Sequence, residues 1–192
     1  MMKRIAVLAL QGAFAEHEMM LRQLGVQSFQ VRQLSDWMQP KDGLILPGGE
    51  STVQCRLLIQ LGLLAPIRKD ILEGLPVFGT CAGLILLARQ ENGRPRQGLS
   101  TMDTDVCRNA YGRQLGSFQT TGNIQDVGTR IPMTFIRAPY IRRTLSNQVR
   151  ILAETDGRIT AVQQGSQLAT AFHPELTTDT RLHEYFLRLT EL

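Results

Sequence analysis

The chain has 192 residues, of which 43% are hydrophobic, 20% charged and 6% aromatic. That is enough apolar material for one ordinary globular domain spanning 1–192, and it excludes a disordered tail, a collagen or a coiled coil. Twenty-one basic against seventeen acidic residues give a net charge of +4, and the eighteen Arg that dominate the excess are spread along the chain, so no nucleic-acid surface is implied. Three cysteines, Cys55, Cys81 and Cys107, are too few and too far apart for a disulfide framework or a zinc knuckle. They leave at least one free thiol and predict a reducing, cytoplasmic setting.

The charged start Met1-Met2-Lys3-Arg4 followed by the apolar run Ile5 to Leu10 has the outline of a signal peptide, but six apolar residues are too few for one. No later stretch approaches the length needed to cross a bilayer, so no membrane association is expected. The run Ile5 to Leu10 lacks polar alternation and reads as a strand buried on both faces. Gly12 ends it, and a helix is expected over Ala13 to Leu24, stopped by Gly25. Within that helix His17 stands among Glu16, Glu18 and Arg22 and reads as a surface residue. Ser28 to Val31 and Gly43 to Leu46 are further strands, the second running into Pro47-Gly48-Gly49 before a helix from Ser51 to about Leu61. Pro66 to Leu72 is a short helix, Pro76-Val77-Phe78 a buried strand, and Ala82 to Ala88 an apolar helix beginning directly after Cys81. Three strand-turn-helix units predict an α/β fold with an open, mostly parallel sheet flanked by helices.

At Glu91 the rhythm stops, and Asn92 to Gly98 reads as a polar loop. Short strands are expected over Thr104 to Cys107, Ser117 to Thr121, Met133 to Ile136, Val149 to Glu154, Ile159 to Gln164 and Leu168 to Phe172, most of them antiparallel, with Gly157 and Gly165 in turns. A last helix from Asp179, capped by that residue, places Leu182, Tyr185, Phe186 and Leu189 on one face and His183 among polar neighbours.

The segment Gly79-Thr80-Cys81-Ala82-Gly83 has the G-x-C-x-G spacing of a nucleophile elbow with Cys in place of Ser. Small residues on both sides let a strained strand-to-helix turn pass, and the helix N-terminus favours a thiolate and offers N–H groups to an oxyanion. A buried structural cysteine is the competing reading. His173 leaves a predicted strand and precedes Pro174-Glu175, at a strand end where ligands of α/β folds gather. With Pro174 holding the backbone extended, residues 173 and 175 point the same way, so Glu175 reaches the second imidazole nitrogen. Cys81, His173 and Glu175 then form a triad, against the competing reading of an exposed His-Pro-Glu corner. The loop Leu46 to Thr52 fails the P-loop spacing. Its paired glycines suit an oxyanion, and Glu50-Ser51-Thr52 reads equally as a helix cap.

These residues resemble the triad glutamine amidotransferases. The narrower resemblance, to the glutaminase subunits of pyridoxal phosphate synthases, rests on Leu10-Gln11-Gly12-Ala13, Pro47 to Thr52, Arg108 to Gln114, Phe135 to Pro139 and His173 to Thr177. It implies the class I glutamine amidotransferase fold, a three-layer, flavodoxin-like arrangement with an antiparallel extension. It implies that Cys81 attacks the side-chain amide of L-glutamine, that His173 protonates the leaving ammonia and that water hydrolyses the thioester. It further implies glutamine contacts from Gly49, Glu50, Ser51, Arg108, Ile136 and Arg137, and an oxyanion hole from Gly49 and Ala82. No cofactor and no metal are implied. The implied partner is a synthase subunit, assembled in a ring-shaped hetero-oligomer, that switches the glutaminase on and receives ammonia to build pyridoxal phosphate. Gln11, at the end of the first strand, is expected to steady the glycine loop when that partner docks. The alternatives are the glutaminase subunit of another amidotransferase, such as imidazole glycerol phosphate synthase, or a non-catalytic regulatory subunit.

Overall fold

A computed structural model describes residues 3–108 and 116–191. Asn109 to Gln114 of the arginine-led block lie outside the described residues. The first half of the chain builds β1 (Arg4–Leu8), α1 (Phe14–Gln23), β2 (Gln27–Val31), α2 (Leu34–Trp37), β3 (Gly43–Leu46), α3 (Ser51–Gln60), α4 (Leu64–Leu72), β4 (Val77–Thr80) and α5 (Ala82–Leu87). The strands β2-β1-β3-β4 pair in that order and all run parallel. Every residue of β3 and β4 is buried, as unalternated apolar strands require.

The second half contributes β5 (Ala88–Glu91), β6 (Arg94–Pro95), β7 (Met102–Cys107), β8 (Ser117–Ile124), β9 (Gly128–Ile136), β10 (Tyr140–Thr144), β11 (Arg150–Thr155), β12 (Arg158–Gln164), β13 (Gln167–Thr170) and α6 (Arg181–Leu189). β13 returns to lie parallel beside β4, with Thr170 opposite Thr80. β12, β10 and β7 then add antiparallel, β5 joins β7 in parallel, and β8 and β9 form a separate two-stranded ribbon.

Neighbouring residues of β4 show why the sheet needs helices on both faces. Phe78 packs against His17 of α1 and Phe186 of α6, whereas a side chain at Gly79 would run into Gly83 and Leu87 of α5. The expected mostly parallel, three-layer α/β architecture with an antiparallel extension is the one observed. Several local readings change. Within the polar stretch after Glu91, Asn92 and Gly93 turn a hairpin whose second strand is β6, and only Arg96 to Gly98 remain loop; β10 and α2 had no counterpart among the expected elements. The last helix starts at Arg181 with Thr180 as its cap residue, and Asp179 serves from one position earlier by accepting the Arg181 N–H at 3.0 Å.

Candidate active site

The crevice at the carboxyl ends of β1 and β3 is where the strand order reverses, the usual ligand position in open α/β sheets. Two backbone loops meet there. Gly12 has φ +103°, and a Cβ on it would lie 1.8 Å from the Gly48 carbonyl oxygen, so only glycine permits the approach. The contact is sealed by a hydrogen bond from the Ala13 N–H to that same oxygen at 3.0 Å. Gln11 reaches across to accept the Glu50 N–H at 2.7 Å, and its own carbonyl accepts from Gln54 at 2.9 Å. The loop after β3 is therefore steadied by Gln11 in the chain alone. Glu50 also caps α3, accepting the Thr52 N–H at 3.3 Å.

Cys81 sits at the junction of β4 and α5 with φ +49° and ψ −97°, a conformation that costs a non-glycine residue of order 1–3 kcal/mol and that concentrates at functional sites. The turn is locked by the Cys81 N–H donating to Thr170 of β13 at 2.8 Å. Gly79 and Gly83 are required as the elbow spacing implied: a Cβ on Gly83 would stand 2.1 Å from the Leu46 carbonyl oxygen. His173 leaves β13 three residues beyond Thr170 and is placed by its own N–H, which donates to Thr134 at 2.8 Å. Its Nδ1 is 2.7 Å from Glu175 Oε1, and Nδ1–H donates to the carboxylate. The backbone route differs from the extended one expected. Pro174–Leu176 is a turn of 3-10 helix, and it is this tight turn that folds Glu175 back under the imidazole. Burial opposes a charge on His173, but hydrogen bonds with Cys81 and Glu175 and the charges of both outweigh it, so its pKa is pushed up to about 10. An imidazolium beside Cys81 is the consequence.

Cys81 and His173 open into a cavity of about 680 Å³ whose walls include Gly49, Glu50, Ser51, Arg108, Ile136 and Arg137. Residues from four separate parts of the sequence thus meet around Cys81. Ala82 is buried at the start of α5 and Glu175 is buried behind His173. Arg108 is held by Thr52 Oγ1 at 2.9 Å and Glu91 Oε1 at 2.8 Å. Arg137 has φ +42°, and its N–H donates to the Gly116 carbonyl. Cys55 is buried against the Gln97 carbonyl and Cys107 is half-buried, and neither lines this cavity.

The histidines expected at the surface are a correction. His17 and His183 are both fully buried, with His17 Nδ1 2.9 Å from His183 Nε2 and His17 Nε2 3.1 Å from Thr80 Oγ1. Their polar sequence neighbours suggested exposure. However, His17 falls three residues after Phe14 and three before Met20, and His183 three before Phe186, which is the buried side of each helix. Thr80 was passed over as the variable position of the elbow, yet it accepts the Gly48 N–H at 3.1 Å.

The SNO glutamine amidotransferase family model matches residues 7–192. Among curated relatives, pyridoxal 5'-phosphate synthase subunit PdxT of Methanocorpusculum labreanum is 56% identical over 97% of both chains. The subunit of the same name from Streptococcus pneumoniae strain CGSP14 is 54% identical over 97% of this chain and 96% of its own. A crystal structure described as a glutamine amidotransferase superposes with a TM-score of 0.91 at 43% identity, covering 98% of this chain and 99% of the other.

Proposed function

Since the chain belongs to the SNO glutamine amidotransferase family, we propose that it is the glutaminase subunit of a pyridoxal 5'-phosphate synthase, hydrolysing L-glutamine to L-glutamate and ammonia for a synthase partner. The observation that carries the reading is the meeting of an elbow cysteine, a carboxylate-bound histidine and the glycine loop around one cavity.

Cys81, as thiolate, attacks the side-chain amide carbon of glutamine. The carbonyl oxygen becomes an oxyanion next to the N–H groups of Gly49 and Ala82, at the N-terminus of α5, where a negative charge is favoured. His173 holds the proton the amide nitrogen needs and delivers it as the carbon–nitrogen bond breaks, releasing ammonia and leaving a glutamyl thioester on Cys81. Deprotonated His173 then takes a proton from water, hydroxide attacks the thioester, and glutamate leaves as the thiolate is restored. Glu175 keeps the imidazole oriented and stabilises its charged form throughout. Gly49, Glu50, Ser51, Arg108, Ile136 and Arg137 bind glutamine, with a guanidinium suited to the amino-acid carboxylate.

In this reading the whole chain acts as one amidotransferase domain in the cytoplasm and needs no cofactor of its own. The synthase subunit completes the assembly as a ring-shaped hetero-oligomer. Mixing the purified chain with its synthase partner and glutamine is the test. Ammonia release that requires Cys81 supports the reading, and its absence with a folded, assembled complex refutes it. Release supported equally by an imidazole glycerol phosphate synthase subunit would reassign the partner.

A further inference from the structure

Behind the triad lies a polar network with no part in the chemistry described so far. His17 from α1, His183 from α6 and Thr80 from β4 are all fully buried; Thr80 and His17 stand next to Glu175, and His183 stands behind His17. The two imidazoles are 2.9 Å apart, and Phe78 meets both rings edge-on, at centroid distances of 6.1 Å and 5.5 Å. Glu175 uses Oε1 to accept from His173, and Thr80 Oγ1 lies 3.4 Å from that same atom. Its other oxygen, Oε2, is buried with no hydrogen bond, and His17 Nε2 stands 3.6 Å from it.

Counting protons assigns the tautomers. If Nδ1 of His17 carried the proton, the Nε2 lone pair would face a carboxylate oxygen across 3.6 Å with no proton between them. With the proton on Nε2, His17 donates to Thr80 Oγ1 and points that N–H at the Glu175 carboxylate. Thr80 remains free to donate its own hydroxyl proton to Oε1 while accepting from Gly48. His17 Nδ1 is then an acceptor, filled by the Nε2–H of His183. The order of groups is His183, His17, Thr80 with Glu175, His173 and Cys81, and the Thr80 bond to Gly48 ties the same network to the glycine loop. Burial, together with the facing charges of His183 and His173, keeps His17 neutral. The ionisable groups around Glu175 are thus His173 on its own turn, His17 from α1, His183 from α6 and, beyond His173, Cys81.

We propose that His17 is a positioning residue of the glutaminase reaction: backed by His183, it supplies the N–H that holds the Glu175 carboxylate, with Thr80, as the fixed acceptor for His173. The inference rests on the glutaminase reading above and adds to it three members behind the triad. Hydrogen bonds of this kind are often long without substrate and tighten in the reacting complex, which fits a 3.6 Å approach aimed at an oxygen that has no other partner.

The test is steady-state ammonia release by the complex with the synthase partner, as a function of glutamine and pH. His17→Leu keeps the volume and removes the donor. It lowers kcat about tenfold, equivalent to about 1.4 kcal/mol of transition-state stabilisation, leaves KM for glutamine within about twofold and moves the acid limb of the kcat/KM profile, because the acceptor for His173 is no longer held in place. His17→Gln, whose side-chain NH2 takes the place of Nε2–H, restores most of kcat and returns the acid limb. Thermal melts accompany both. If His17→Leu does not fold, the comparison becomes His17→Gln with His17→Asn, whose shorter amide cannot reach Glu175. Gln and Asn variants of equal activity overturn the proposal. So does a folded His17→Leu with wild-type kcat and pH profile, or a His17→Gln as impaired as His17→Leu. A wild-type complex that releases no ammonia refutes the glutaminase reading instead.

Discussion

Replacing Gly48 by alanine tests the active-site geometry with a single methyl group. Gly48 does not have a positive φ, so an alanine there is not excluded by its own backbone. The added Cβ, however, would stand 2.2 Å from His173 Cε1 and 2.7 Å from its Nδ1. Ordinary carbon contact is about 3.5 Å, so the imidazole and the loop must separate by about 1.3 Å. The loop is poorly able to retreat, since the Gly48 N–H is held by Thr80 and its carbonyl by Ala13. The displacement therefore falls on His173 and strains its 2.7 Å bond to Glu175. A misplacement of about 1 Å in a reacting group can cost about a hundredfold in rate, or about 2.7 kcal/mol of transition-state stabilisation. Gly48→Ala is expected to lower kcat for glutamine-dependent ammonia release by about that factor. Pyridoxal phosphate synthesis by the complex supplied with free ammonium should persist at the wild-type rate. A variant with wild-type glutaminase activity would show that His173 does not act from the position described.

Other expectations follow from the same geometry. Cys81→Ala and His173→Asn abolish glutamine-dependent ammonia release while ammonium-driven synthesis survives, and loss of both activities would point to a folding or docking defect. Because residue 81 is held at φ +49°, Cys81→Gly should melt above Cys81→Ala, and the reverse order in thermal unfolding would contradict the strain assigned to the elbow. A glutamine-like electrophile is expected to label Cys81 and spare Cys55 and Cys107, which peptide mapping would establish; labelling spread over all three would deny Cys81 its special environment. Stability should fall in mild acid. Burial holds His17 well below 6.5 and pushes His183 down to about 4. Both stay neutral in the fold while the unfolded chain takes up protons. Their effect is absent above pH 6.5 and grows as pH drops from 6.5 toward 4, by about 1.4 kcal/mol per pH unit for each histidine. His173 acts in the opposite range, its stabilisation being complete below 6.5 and lost as pH rises through about 10. Denaturant titrations of wild type and His183→Met at pH 7 and 5 would separate the terms, and equal slopes in both proteins would refute the assignment.

Much of this was legible in the residues. Unalternated runs such as Ile5 to Leu10 and Leu44 to Leu46, each followed by a glycine turn, read as strands covered on both faces, and G-x-C-x-G marks a backbone that only small neighbours allow. The histidine network was not legible from local polarity. Glu16, Glu18 and Arg22 surround His17 in the sequence, but a helix turns them away from it, and only the spacing to Phe14, Met20 and Leu21 shows the buried side. Pro174 was read as enforcing extension, yet proline is equally at home in the first turn of a helix, and the 3-10 turn is the outcome. The hairpin after Glu91 and the strand at Tyr140 are set by partners distant in sequence, which no short window contains.

The parallel pairing of β4 with β13 has a further consequence. Cys81 and His173, 92 residues apart in the chain, follow the ends of two adjacent strands, with Thr80 level with Thr170. The ends of those strands are one rung of the backbone ladder apart, about 4.8 Å, and the Thr134 carbonyl then fixes where His173 stands beyond them. The intervening segment builds the antiparallel extension of the same sheet and, through Thr134 of β9, holds the His173 N–H, so only those of its connections that lie away from Thr134 and the cavity could lengthen, shorten or be cut and rejoined without moving Cys81 relative to His173. The turns at Gly157 and Gly165, which do not line the cavity, are natural places to insert a new peptide or open new termini.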